Sequence, residues 1–254
     1  MPQESVKLRN ERRRRFVAPA SAARAVRSHP QLTAGGASIV LAVGLWLLTD
    51  LSSELWRDKS YGRKADSLVW RSSVASGTTG LLFLALTLVI GPLRRLAGRR
   101  RQLHVRWRRA TGVWASLWAG VHVGFAITIH NPGWKLWQQF SYVRSSGLLL
   151  VMSLASWAGL AALLLLVPVA ATSNTTSMRR LGARRWKRTQ RLSYGAGLLV
   201  VVHVVGFQFQ EQRALVHVVA TTSVLGAVVI TRLVDVANAA LARTGRVAAV
   251  GRNN

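Results

Sequence analysis

The chain contains no cysteine. Disulfides, covalent attachment of a c-type haem, thiolate-held iron–sulfur clusters and thiol catalysis are therefore excluded. Acidic residues are scarce as well: 8 Asp and Glu stand against 35 Lys and Arg in 254 residues. Charge of either sign is missing altogether from six stretches: Ser28–Thr49, Ser72–Leu93, Ala110–Trp134, Ser145–Met178, Leu192–Gln210 and Ala214–Thr231. Each is at least 18 residues long, and about 20 apolar residues suffice to cross a bilayer as a helix. In lipid the backbone must satisfy its own hydrogen bonds, so each stretch is expected to be helical. The expected fold is all-α, a bundle of six transmembrane helices.

What is present in excess is arginine, and its placement explains the net charge of +27. Twenty-seven of the 35 Lys and Arg fall in four alternate segments: the first 30 residues, Arg94–Arg109, Arg179–Arg191, and the tail after Thr231. The intervening segments hold the other eight, and the first of these also carries Asp50, Glu54, Asp58 and Asp66. Such alternation follows the positive-inside rule and is expected to put both termini in the cytoplasm of a cell inner (plasma) membrane protein. Contact with anionic lipid headgroups follows from it, and nucleic acid is not needed to account for the charge.

The expected division is a basic, poorly ordered cytoplasmic arm over 1–30, a six-helix domain over 31–233 and a cytoplasmic tail over 234–254. The run ERRRRFVAPASAARA has the outline of a twin-arginine signal, but Arg24 and Arg27 interrupt its apolar core, so a retained arm is expected. The helices are expected near Leu32–Leu51, Val74–Leu93, Ala110–His130, within Ser146–Ala171, Leu192–Phe209, and after a short turn to the end of the sixth stretch. Gly91-Pro92 is expected to stop the second helix, and Pro168 to bend or end the fourth. Trp56, Tyr61 and Trp70 are expected at the interface, where such rings collect. No repeat and no phosphate-cradling glycine loop is evident.

Two histidines stand inside these apolar runs. His122 follows Arg109 by 13 residues and His203 follows Arg191 by 12. Both helices run in the same direction, so both imidazoles stand roughly 18–20 Å from the charge boundary, past the middle of a core about 30 Å thick. An imidazole in hydrocarbon is costly and tends to be functional. A pair at matched depth can hydrogen-bond across helices as membrane glue, or clamp a metal centre such as a haem iron between two axial nitrogens. Zinc fits less well, because it takes three or four ligands and no carboxylate or thiolate lies nearby. Ala115, Ala119 and Ala126 on one helix, and Ala196 and Gly206 on the other, are small enough for a flat macrocycle to approach. His130 and His217 are expected at the outer interface, His104 in an arginine loop and His29 in the arm.

Several ordered motifs carry a family resemblance. Gly77 opens a Leu/Thr-rich helix ending in Pro92-Leu93-Arg94-Arg95-Leu96; Arg108-Arg109 open the helix of His122; Arg179-Arg180-Leu181-Gly182 and Trp186 precede the helix of His203. Over about Gly77–Phe209 this resembles the ferric-reductase-like transmembrane family, and within it the haem-binding subunits of protein-methionine-sulfoxide reductase systems. The resemblance implies b-type haem, with His122 and His203 as axial ligands of the outer haem, and electron delivery across the membrane to an extracytoplasmic reductase.

One departure bears on the haem count. Where the family usually has a further histidine opening the fifth helix, this chain has Gln190. The inner position on the third helix is Arg108 or Arg109, and none of these is an iron ligand. One haem rather than two is therefore expected. The donor is then expected to be a quinol reaching the haem from the bilayer, with a flavin (FMN) against the inner arginines as the alternative. Arg94, Arg95, Arg99–Arg101, Arg179, Arg180, Arg184 and Arg185 are the candidates to grip such a headgroup, although topology already accounts for them. Lys135, Arg144 and Arg213 on the outer side are candidate haem-propionate partners. A stand-alone transmembrane ferric reductase is the second reading. A haem-free scaffold or transporter is the third, disfavoured because none of the six stretches carries a carboxylate of the sort ion pathways use.

Overall fold

The computed structural model describes His29–Leu51, Leu68–Leu96, Leu103–His130, Phe140, Gly147–Gln210 and Leu215–Val250. Six helices run through these residues: α1 (Pro30–Leu51), α2 (Leu68–Leu96), α3 (Leu103–His130), α4 (Leu148–Ala171), α5 (Thr175–Gln210) and α6 (Leu215–Val250). Each contains a segment long and apolar enough to cross a membrane. The all-helical, multi-pass expectation holds. The basic arm, Trp56, Tyr61, Arg99–Arg101, Lys135, Arg144 and Arg213 lie outside the described residues.

The distribution of side chains is that of a bundle in lipid. Large apolar residues such as Leu164, Leu198 and Ile230 are more than three-fifths exposed, while Ser38, Thr79 and Ser153 are fully buried. Small residues inside let helices approach, and their hydroxyls must find partners. Thr79 donates to the carbonyl of Ala75 at 2.8 Å. Thr87 donates to Phe83 O at 2.8 Å, and its Oγ1 lies 2.9 Å from Thr111 Oγ1, a hydroxyl pair that ties α2 to α3. α2 packs along α3, and α4 along α5, as the two most extensive helix pairs. The Trp114 indole holds α1 by lying on Gly35 and donating to Gln31 O at 3.0 Å. Trp70, expected at the interface, is buried.

Three helix ends differ from expectation. α2 does not stop at Gly91-Pro92 but continues through Pro92 to Leu96, as membrane helices tolerate proline where neighbouring helices enclose it; Pro92 is fully buried. The end of α4 agrees with expectation: Pro168 sits inside the helix, which closes three residues later at Ala171. The Arg179–Arg191 segment, expected as a loop, is helical and part of α5, with one break at Gly182 where φ is 68°. Only glycine enters that region without strain. Asn174 caps this helix, accepting from Ser177 N at 2.7 Å. At the other border His104 lies within α3 rather than in a loop.

α6 continues without a break past residue 233 to Val250. It thereby carries Asp235 within a segment apolar enough to span a membrane, so the expectation of acid-free spans is corrected. The carboxylate is buried, accepts from Arg95 of α2 in a two-pronged pair, and lies 3.6 Å from Arg232. This pairing compensates its burial and joins α6 to α2 at the arginine-rich end of the bundle.

Candidate functional site

The polar groups of α3 and α5 meet at two levels. Toward the end away from the arginines, His122 and His203 face each other with ring centroids 6.1 Å apart and planes at 84°. They line a cavity of about 440 Å³, within the range of small-molecule and cofactor sites. Helices α2 to α6 all contribute to its wall, and none of the described lining residues is Asp, Glu, Lys or Arg.

Each imidazole is fixed by the neighbouring helix of its own hairpin in the same way. His122 Nδ1 lies 2.9 Å from the carbonyl oxygen of Ser73 on α2, with Ser73 Oγ at 3.3 Å. His203 Nδ1 lies 2.9 Å from the carbonyl oxygen of Ala155 on α4. A carbonyl can only accept, so Nδ1 carries the proton in both rings and Nε2 carries the lone pair. This is the arrangement by which metal-bound histidines are oriented and made more basic. Phe207, one turn beyond His203, packs against it at a tilt of 56° with centroids 4.9 Å apart.

Glycines create the space for the rings. A Cβ on Gly77 of α2 would stand 2.8 Å from His122 Nδ1, and one on Gly159 of α4 would stand 2.5 Å from His203 Nδ1. Any side chain there would push the imidazole off its carbonyl. Of the small residues expected near the site, Ala115, Ala119 and Ala126 line the cavity. Ala196 belongs instead to the apolar core, and Gly206 packs against Ala155. That Gly77 and Gly159 make room for the imidazoles is not legible in the sequence, because it depends on which helices become neighbours.

His217 also departs from expectation. It was expected at the interface, yet it is only 5% exposed and lines the same cavity from α6. The spacing of His217 and Thr221, four residues apart on one helical face, was the available signal. His130 closes α3. His29 is exposed, as expected.

The level nearer the arginines is occupied by the protein itself. Gln190 Nε2 donates to Val169 O and Thr172 Oγ1, both at 3.2 Å, at the C-terminal end of α4. Trp186 Nε1 donates to Thr172 O at 3.0 Å. Arg109 contacts Met178 Sδ at 2.9 Å and lies 5.0 Å above the Trp186 ring. Arg108 donates to Tyr194 OH at 3.3 Å, and Arg232 of α6 lies 4.0 Å over the Tyr194 ring. Gln190, Arg108 and Arg109 thus serve as caps and cation–π partners between helices. Among the described residues no group of three or more His, Asp or Glu comes together, so a conventional zinc site is not formed.

Comparison with known proteins agrees with this architecture. Residues 76–201 match the family model of the ferric reductase like transmembrane component. The protein-methionine-sulfoxide reductase heme-binding subunit MsrQ of Xanthomonas oryzae pv. oryzae is 36% identical over 150 residues, covering 59% of this chain and 63% of that protein. MsrQ of Ralstonia nicotianae is 33% identical over 147 residues, covering 56% and 60%. The chain thus spans somewhat less than two thirds of the length of these curated relatives. Residues 76–201, just under half of the chain and a segment that contains Gly77, His122 and Gly159, thus resemble the ferric-reductase-like transmembrane family.

Proposed function

We propose that the chain is the haem b-binding membrane subunit of an electron-transfer system, with one haem held between His122 and His203. The reading takes quinol as the electron donor, or a flavin such as FMN in its place. The acceptor is an extracytoplasmic reductase of the methionine sulfoxide type, and the location the inner (plasma) membrane with both termini cytoplasmic. The single observation that carries it is the geometry of the two imidazoles. A metal bonded to two imidazole nitrogens at about 2 Å each, with each nitrogen roughly 1 Å from its ring centre, separates the ring centres by about 6 Å. The rings stand at 6.1 Å. Both have Nδ1 committed to a carbonyl, which leaves the Nε2 lone pair as the iron-binding atom.

When bound, the haem would supply a one-electron carrier, tuned by the residues that hold it and by its burial. The chain's own residues do the rest. Ser73 and Ala155 hold the ligand tautomers, and Gly77 and Gly159 give the rings room. The apolar wall, which includes Leu81, Leu163 and Val200, excludes water. The domain division at residues 30 and 233 belongs to this reading as well, with α6 continuing beyond the second boundary.

Quinol is favoured over a cytoplasmic flavin by the distance along α3. Fourteen residues, about 21 Å of helix, separate His122 from Arg108, and the positions between carry no second ligand pair. The test is to express the chain with haemin supplied, purify it in detergent, and add a short-chain quinol under anaerobic conditions. The expected result is a b-type spectrum that turns to its reduced form. Protein that stays colourless overturns the haem reading. Haem that quinol leaves oxidised, while reduced FMN reduces it, moves the donor to flavin. Rapid iron(III) reduction without any partner protein favours the stand-alone ferric reductase.

A further inference from the structure

Arg95 and Arg109 carry the same fork of donors, and the bundle uses the two forks differently. Arg95 gives Nε and Nη2 to the two oxygens of Asp235, the geometry in which a guanidinium grips an oxyanion. In Arg109 the same edge meets no oxygen. Its Nη2 lies 2.9 Å from Met178 Sδ, a weak acceptor. Its Nε is buried and has no hydrogen-bond partner among the described residues.

The break in α5 holds the guanidinium in this position. Met178 lies four residues before Gly182 and Trp186 four after it, and both reach Arg109 across the elbow. Trp186 supplies its ring face, and its own N–H is fixed on Thr172 O. The polar side chains of the adjoining bend are committed elsewhere. The Thr172 and Ser173 hydroxyls donate to Pro168 O and Val169 O, each at 2.6 Å, and Gln190 donates to the same end of α4. Asp235, the only carboxylate among the described side chains, is shared by Arg95 and Arg232. Arg106, one turn earlier on α3, and Arg179, Arg180, Arg184 and Arg185, on either side of the break, are exposed. Their field draws anions toward the elbow. Arg109 also borders the charge-free stretch Ala110–Trp134, the depth at which lipid headgroups meet a membrane helix.

We propose that Arg109, in the elbow of α5, binds a phosphate oxyanion on its Nε–Nη2 edge, with Met178 turning aside to admit it. The methionine side chain is suited to this, being unbranched and free to rotate about three bonds. The phosphate of an anionic phospholipid and a free phosphate present the same chemistry to the fork. This site stands apart from the haem reading, and neither depends on the other.

The test titrates the full chain, purified in neutral detergent, with phosphatidylglycerol, with diacylglycerol of the same acyl chains, and with inorganic phosphate. Wild type is expected to bind phosphatidylglycerol saturably and roughly tenfold more tightly than diacylglycerol, the size of one charge-assisted contact. Displacement of that lipid by inorganic phosphate identifies a free phosphate as a sufficient ligand; lipid that phosphate leaves in place identifies the headgroup. Arg109→Gln should weaken binding about tenfold, and Arg109→Lys, which keeps the charge without the fork, severalfold. Arg191→Gln, which removes an exposed arginine further along α5, should change it little. Met178→Ala clears the thioether from the fork and should tighten binding, which gives a reading even where the Arg109 variants misfold. Equal binding of phosphatidylglycerol and diacylglycerol by wild type, an Arg109→Gln variant that binds as Arg191→Gln does, or binding lost in Met178→Ala overturns the proposal.

Discussion

α3 and α5 each pass two levels of the bundle, and the same pair of helices builds opposite things at the two. At the far level, His122 and His203 face each other across an open cavity, each held by a backbone carbonyl of a neighbouring helix. About four turns nearer the arginines, the corresponding positions are Arg108 and Gln190. There the side chains are spent on protein: Gln190 caps the end of α4, and Arg108 and Arg109 lie against Tyr194 and Trp186. On the proposed reading, a cofactor site in a helical bundle needs more than ligands at the right depth: it also needs glycines opposite them to give the rings room.

The largest effect should come from the ligands themselves. His122→Ala or His203→Ala is expected to reduce haem occupancy to background in purified protein, read from the Soret absorbance. Either variant retaining full occupancy would break the comparison at once.

The glycine cradle comes next. A methyl at Gly159 stands 2.5 Å from His203 Nδ1, so Gly159→Ala must displace the ring from Ala155 O. Haem affinity should fall roughly 10- to 100-fold, the usual cost of losing an orienting partner of a metal ligand. Gly44→Ala, where nothing lies within 4 Å, is the control and should leave affinity unchanged.

Gln190→Leu probes the other level. It strips the end of α4 of a donor and should lower stability by about 1–3 kcal/mol, seen as a lower Tm in detergent. Haem content and spectrum should be unaffected. Haem loss in a variant of this kind with an intact fold would mean that the inner level holds cofactor after all.

The smallest effect is expected for Asp235→Asn. The Arg95 side chain is 64% exposed, so the ion pair is screened and its loss should cost about 1 kcal/mol or less. The spectrum should not change, because the pair ties α6 to α2 far from the imidazoles.

Sequence alone made the membrane architecture legible, since six charge-free stretches have no other physical solution. It also singled out His122 and His203, whose matched depth follows from counting residues along parallel helices. What it missed were facts about neighbours. Gly77 and Gly159 look like ordinary helix-packing glycines until α2 and α4 are known to back the histidines. His217 reads as interfacial by depth, because depth does not say which face of α6 turns inward. The arginine run of α5 reads as a loop because charge hides a helix whose start is marked only by Asn174. Pro92 misled for the opposite reason: a proline that ends a helix in water is tolerated where other helices enclose it.

The most direct measurement of the central claim is the haem-to-protein ratio of the purified, haem-loaded chain, by pyridine haemochrome against quantitative amino-acid analysis. One low-spin b-type haem per chain, lost on replacing either His122 or His203, is the result this account predicts. Two haems per chain, or one that survives both replacements, would contradict it.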